Sequence, residues 1–189
     1  MEISVRELFL LPEDYTFTEN LVRLNSLDFA RWKFLPGMLF KAEEKWWTEG
    51  RRARVHNGLD LRLYETKSAG VGTLSKGVKI PLLKAGRAAK ITPDFIGHSI
   101  FVEHDGLFYG GKRLFTVYGH LVPEKSIEGG HMDCGGMIGK VAPSKKSAVP
   151  PHLHISIVLV PENIPLEDLR WETLDQAEGV AFLDPAEVI

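Results

Sequence analysis

The residues best equipped for chemistry stand at Pro150-Pro151-His152-Leu153-His154, which runs into a β-branched apolar stretch at 155–160. Two prolines disfavour a helix start, and the run after them reads as a strand. Residues two apart on a strand point to one face, so His152 and His154 project side by side. Paired imidazoles on so apolar a strand suit a metal, a proton-transfer role, or both. Rings satisfied by neighbouring carbonyls are the plainer alternative.

A second candidate is Arg54-Val55-His56-Asn57-Gly58-Leu59-Asp60. Fully extended, His56 and Asp60 would lie about 13 Å apart, too far to share a metal at bonds of about 2 Å. Asn57-Gly58 is bend-prone, and a bend between them would bring the two groups together. An ordinary Asn-Gly turn is again the plainer reading. His120 ends a β-like run in Thr116-Val117-Tyr118-Gly119-His120, where a histidine is commonly structural. A catalytic zinc keeps three protein ligands from among His, Asp, Glu and Cys and leaves one position for water. His56, Asp60 and one of the paired histidines would form such a set. Two histidines would remain to move protons or to stabilise charge on an attacked carbonyl.

The elements that must position these groups read as short strands. Runs at 55–63, 78–83, 99–104, 114–120, 137–141 and 154–160 are β-prone and punctuated by Gly and Pro, the texture of an all-β sandwich or barrel-like domain. Asp105-Gly106 and Gly110-Gly111 read as breaks of the hairpin kind. Segment 68–77 reads as a glycine-rich loop, and it lacks the Lys-Ser/Thr ending of a phosphate loop. Residues 1–50 read as an N-terminal extension on a domain at 51–189. The extension holds a capped helical turn near 18–24, a Pro36-Gly37 turn and a short strand at 38–42. Trp32, Trp46 and Trp47 are expected to pack it down, with a groove-lining role as the lesser alternative.

The chain has 189 residues, a formal net charge of −2 and one cysteine, Cys134. That length suits one ordinary domain with a real core. The charge gives no reason to expect nucleic acid or an anionic membrane as a partner, and one cysteine excludes both an intrachain disulfide and a Cys-rich zinc site. No window reaches the length of a membrane-spanning helix. The start, Met1-Glu2-Ile3-Ser4-Val5-Arg6-Glu7, lacks the basic and long apolar parts of a signal peptide, with Leu8-Phe9-Leu10-Leu11 cut short by Pro12-Glu13-Asp14. Localisation and oligomeric state are not legible.

H-x-G-x-D at His56-Gly58-Asp60, Y-x-H-L at Tyr118-His120-Leu121 and P-H-L-H at Pro151–His154 occur in the order seen in lysostaphin-type zinc metallopeptidases, and residues 51–189 resemble that family. The glycine-punctuated stretch 129–139 and Asp184-Pro185 extend the similarity. The resemblance implies one Zn²⁺ on His56, Asp60 and His154, with His120 and His152 as the catalytic pair. It implies an antiparallel β domain around a groove with zinc at its floor. It also implies a zinc metalloendopeptidase cutting stem peptides or cross-bridges of peptidoglycan, at the cell envelope or outside it. A non-catalytic wall-binding or hydrolase-regulating module of the same fold, and an intracellular zinc peptidase, are the alternatives.

Departures from the family pattern concern the groove. Glu44-Lys45-Trp46-Trp47-Thr48-Glu49-Gly50 replaces a Ser-x-Phe-Gly-x-Arg-like stretch. Gly50 stands where some members carry a tyrosine, and Tyr64-Glu65-Thr66-Lys67 lengthens the loop after Asp60. His98, His104 and His131 read as surface or turn residues. Arg51, Arg52 and Arg54 read as a solvated basic face, and Glu65 and Glu103 as solvated or capping acids that could alternatively orient a ligand imidazole.

Overall fold

The structure, a computed structural model, describes residues 4–11, 16–125, 127–144 and 148–189. Pro12, Glu13 and Asp14, read above as ending the N-terminal apolar run, lie outside the described residues. In chain order the elements are α1 (Val5–Leu8), α2 (Phe17–Asn25), β1 (Arg31–Lys33), β2 (Leu59–Leu61), β3 (Leu63–Glu65), β4 (Val71–Thr73), β5 (Lys79–Pro81) and β6 (Gly86–Pro93). They continue with β7 (His98–Tyr109), β8 (Lys112–Pro123), β9 (His131–Met132), β10 (Met137–Val141), β11 (Leu153–Pro161), α3 (Trp171–Gln176) and β12 (Ala181–Leu183). The fold is mainly β.

The main sheet runs β12-β11-β8-β7-β6-β9, with β2 joined to β11 and with β10 bridging β8 and β5. The named strands pair antiparallel. The expected antiparallel β architecture is present, and the described strands do not close into a barrel. A small second sheet, β1-β3-β4, stands beside it. Arg62 is the residue at which the chain passes from one sheet to the other. β2 before it pairs with β11, β3 after it pairs with β1 and β4, and the Arg62 guanidinium donates to the Pro151 carbonyl. The single strand expected over 55–63 is therefore interrupted.

The centre of the main sheet is buried on both faces, as the alternation of side chains shows. Ile100, Val102, Leu114, Tyr118, Ile155, Ile157 and Leu159 face one apolar cluster. Phe101, Phe115, Val117, Val158 and Val160 face the other. Both are covered, and a strand buried on both faces reads as a continuous apolar run rather than an alternating one. The first cluster takes Val5, Leu8, Phe9, Phe17 and Leu21 from the N-terminal segment. The second is roofed by Ile164, Leu169 and Leu174 around α3. Thr16 caps α2 by accepting from the Glu19 N–H at 3.2 Å, and Trp32 packs against Phe29 and Tyr64.

Other expectations change at the level of single turns. Gly110-Gly111 forms the two-residue hairpin between β7 and β8, with φ of 58° and 73°, a geometry that suits glycine at both places. Asp105-Gly106 does not end a strand. It lies inside β7 at a register shift between Glu103 and Phe108, a bulge opened by Gly106 at φ 74°. The expected strand at 38–42 is replaced by a 3-10 turn at Pro36–Met38, because Pro36 pre-sets a tight turn there. The loop expected at 68–77 contains β4, which is too short to stand out among its glycines.

His104, read as a turn histidine, is 2% exposed and sits under Phe9 in the core. Its ring bridges the Ala85 carbonyl at 3.0 Å and Thr116 Oγ1 at 2.8 Å. Burial pushes its pKa down from 6.5 to about 4, partly opposed by the Ala85 carbonyl. The unfolded chain therefore binds the extra proton first. The stability from a neutral His104 is complete above pH 6.5 and is lost as pH falls towards 4, by up to about 3 kcal/mol. Denaturant unfolding at pH 7.5 and 4.5 should show a smaller acid-induced loss for His104→Gln than for the natural chain. Equal losses in the two proteins would refute this role.

Candidate metal centre

The site assembles where the bend before β2 meets the start of β11. The β2–β11 register sets Asp60 directly opposite His154, so the carboxylate and the imidazole share one face. The Asn57-Gly58 bend turns His56 back over the same spot. A Cβ at Gly58 would stand 2.3 Å from the Ile155 carbonyl oxygen and 2.5 Å from Ser156 Oγ, so the chain passes this close only as glycine. Backbone bonds from Lys41 N to His56 O (2.8 Å) and from His56 N to Ala42 O (2.9 Å) hold the bend from outside.

Three donor atoms converge there. His56 Nε2 lies 3.1 Å from Asp60 Oδ1 and 3.1 Å from His154 Nδ1, and His154 Nδ1 lies 2.9 Å from Asp60 Oδ1. A tetrahedral ion with bonds of about 2.0–2.1 Å spaces its ligand atoms about 3.3 Å apart. The triangle is within a few tenths of an ångström of that face. The tautomers fit as well. His56 Nδ1 donates to the Leu39 carbonyl at 2.9 Å, so a neutral ring offers a lone pair at Nε2. His154 Nε2 stands 2.8 Å from Ser156 Oγ, and donation to that hydroxyl leaves Nδ1 as an acceptor. Two lone pairs and a carboxylate oxygen then point at one place, which a cation satisfies and a proton satisfies only in part. Among the described residues, His56, Asp60 and His154 are the group that could hold a metal ion.

Burial alone would raise the Asp60 pKa, but His152, His154 and His56 outweigh it and hold the carboxyl well below the usual carboxylate range. Burial pushes His154 down to about 4, against the pull of Asp60, so the ring is neutral at ordinary pH as a ligand requires. The second oxygen of Asp60 is also occupied. Trp46 Nε1 donates to Oδ2 at 2.7 Å and Arg52 Nη2 at 3.0 Å, which leaves Oδ1 for the centre. Arg52 is held in turn by the Gly37 carbonyl at 2.9 Å and lies over the Trp47 ring.

The two remaining histidines lie beside this triangle. His152 Nδ1 donates to the Pro150 carbonyl at 2.8 Å, its Nε2 is 3.6 Å from Asp60 Oδ1, and its ring meets Trp46 edge-on. The His120 ring centroid is 4.6 Å from that of His152 and 5.9 Å from that of His154. His120 has φ 67°. Simple alternation along β8 would send it to the same face as Tyr118, into the first core cluster. The left-handed backbone turns it to the histidine side instead, and Leu121 resumes the core pattern. Burial lowers the His120 pKa, and Asp94 opposes this.

All five residues singled out from the sequence thus stand together, on the floor of an open cavity of about 860 Å³. Phe95, Trp47 and Trp171 form its walls, and Arg54 pairs with Asp175 at 2.6 Å across its rim. Several readings of neighbouring residues need correction. Trp46 does more than pack, since its N–H orients Asp60. Arg52 is no solvated cation, because β2 brings Asp60 to it. Arg51 pairs with Glu43 and stays exposed, as expected. Glu103 is taken by Arg87 and Arg113, and Glu65 by Arg31, so neither reaches a histidine of the site. No spacing signal in the sequence marks Asp94 or Phe95. The doublets Trp46-Trp47 and Arg51-Arg52 were visible, but not their partner.

No family profile matches the chain, and no curated protein matches it. Among solved structures it is similar to a candidate M23 peptidase from Pseudomonas aeruginosa, at 21% identity and a TM-score of 0.46, over 92% of this chain and 60% of that one. It is similar to the catalytic domain of lysostaphin from Staphylococcus simulans, at 15% identity and 0.47, over 74% of this chain and 87% of that one. It is also similar to a zinc-containing peptidase from Vibrio cholerae, at 17% identity and 0.47, over 72% of this chain and 36% of that one.

Removing the two donors on Asp60 Oδ2 should loosen the carboxylate without touching a ligand. The double variant Trp46→Phe/Arg52→Met should bind zinc about 10- to 100-fold more weakly in a competition titration with a chromophoric chelator. An unchanged affinity would show that these contacts do not hold the ligand.

Proposed function

We propose that the protein is a zinc-dependent metalloendopeptidase that hydrolyses peptide bonds in peptidoglycan stem peptides or cross-bridges. The observation that carries this reading is the convergence of His56 Nε2, Asp60 Oδ1 and His154 Nδ1 at tetrahedral spacing, with two further histidines on one side of the triangle. The three ordered motifs support the peptidoglycan reading, and such a substrate would put the site of action at or beyond the cell envelope. A cavity open along one side suits a chain-like substrate better than a small enclosed one.

Zinc held there would polarise the scissile carbonyl and bring the pKa of its bound water towards neutrality. The chain's own residues have separable tasks. Asp60 supplies the negative charge of the ligand set, and Trp46 and Arg52 keep its second oxygen occupied. His152, with its Nδ1 hydrogen held by Pro150 O, presents Nε2 beside the ligands. His120 lines the cavity on the same side. One of the two takes a proton from the attacking water and the other steadies the negative charge on the carbonyl oxygen. Phe95 meets the His120 ring at 4.6 Å and Trp171 the His154 ring at 5.4 Å, so both walls of the cleft rest against its histidines.

Purified protein should bind about one zinc per chain and release peptides from cell-wall material, with activity lost to chelator and restored by zinc. His154→Ala should lose the metal. His120→Ala and His152→Ala should keep it and lose about 10²- to 10⁴-fold in kcat. Metal-replete protein that leaves several wall types intact, by mass spectrometry of the digests, would overturn the assignment.

A further inference from the structure

We propose that Asp94 is a positioning residue that fixes the tautomer and orientation of His120, and thereby makes His120, rather than His152, the group that takes the proton of the attacking water. The step presupposes the hydrolase reading above. The pairing of Asp94 with His120 does not.

The carboxylate of Asp94 is immobilised by four donors. Oδ1 accepts from the backbone N–H of Ile96 at 2.9 Å and of Gly97 at 2.7 Å. Oδ2 accepts from Ser99 Oγ at 2.9 Å and from the His120 backbone N–H at 2.8 Å. Ser99 is locked in turn by Trp171 Nε1 at 2.8 Å, which ties the arrangement to the α3 wall of the cleft. The same Oδ2 stands 3.2 Å from His120 Nδ1. That nitrogen is buried and has no aligned hydrogen-bond partner. It is near enough to its carboxylate for a bond but not yet turned to it, a common state of such pairs before substrate tightens them.

The chemistry follows from what each group can offer. A carboxylate only accepts, so the nitrogen facing it carries the hydrogen and the lone pair is left on Nε2. When Nε2 takes a proton from water, the ring becomes a cation with a full negative charge at its far nitrogen. That is the role an aspartate plays behind the histidine of a serine-protease triad. His152 has a neutral carbonyl, Pro150 O, in the equivalent place. The two rings therefore differ in the charge behind them. Holding His120 at φ 67° costs on the order of 1 kcal/mol or more. The bond from its backbone N–H to Asp94 offsets that cost, and Asp94 thus sets both the backbone and the ring.

The first test needs no substitution. Nitrogen-15 shifts of His120 in the zinc-loaded natural protein should report hydrogen on Nδ1, and a neutral ring with hydrogen on Nε2 would overturn the proposal. Asp94→Asn should then shift the ring towards the Nε2–H form and lower kcat about 10- to 100-fold, with KM and zinc stoichiometry within about twofold, and Asp94→Glu should recover part of kcat. An unchanged kcat in folded Asp94→Asn, or kcat, KM and zinc content falling together, would leave Asp94 merely structural and refute the assignment. A natural protein that holds zinc and cleaves no peptide would remove the hydrolase reading, while the nitrogen shifts would still decide the Asp94–His120 pairing.

Discussion

The cross-strand contact between Asp60 and His154 is the constraint on which the site depends. A carboxylate buried to this degree is costly unless it is surrounded by partners. Here Asp60 is met on one oxygen by His154 and His56 and on the other by Trp46 and Arg52. Trp46, Arg52 and His56 come from the segment just before β2 and His154 from β11, yet all answer to a single position in β2. Shifting that strand by one residue would turn Asp60 to the opposite face and leave four groups without their common carboxylate. Register in this short strand is therefore set by polar pairing as much as by Leu59 and Leu61, which anchor it in the apolar cluster.

The two faces of the main sheet divide the labour. One is sealed by the N-terminal helices and is apolar around Tyr118 and Ile155, with His104 and Thr116 paired beneath Phe9. The other is apolar in its middle, around Phe115 and Val158, and becomes histidine-rich towards the β2 end. His154 and Ser156 lie on the same side of β11 as Val158 and Val160. The polar site is thus a continuation of a core layer, and the rigidity of that layer holds the imidazoles. His120 reaches this side only through its left-handed backbone, the one local rule of strand geometry that the chain breaks here.

The features legible in the sequence were those generated by near neighbours. His152 and His154 announced their adjacency through a spacing of two, and Asn57-Gly58 announced the bend that joins His56 to Asp60. The β texture was visible in the central strands because their burial on both faces makes long apolar runs. Features created by contacts across the sheet were not visible. Asp94 lies 26 residues before His120 and resembles any loop aspartate until β6, β7 and β8 are paired. Arg52 resembles a surface cation until β2 supplies its anion. His104 looked like a turn residue because Asp105-Gly106 follows it, but the bulge absorbs those two residues within the strand.

The span between the site's parts bears on how the protein matures. His56 and Asp60 are 98 and 94 residues from His154 in sequence, and β2 is held to β11 by three residue pairs. Contacts at such separation form late, because loop closure must be met before they contribute. An unfinished chain can present scattered histidines but not three converging donors. Only after β11 has docked on β8 and received β2 can an ion be held. For the proposed hydrolase, metal uptake would then follow the docking of these strands, and activity would wait on a complete architecture.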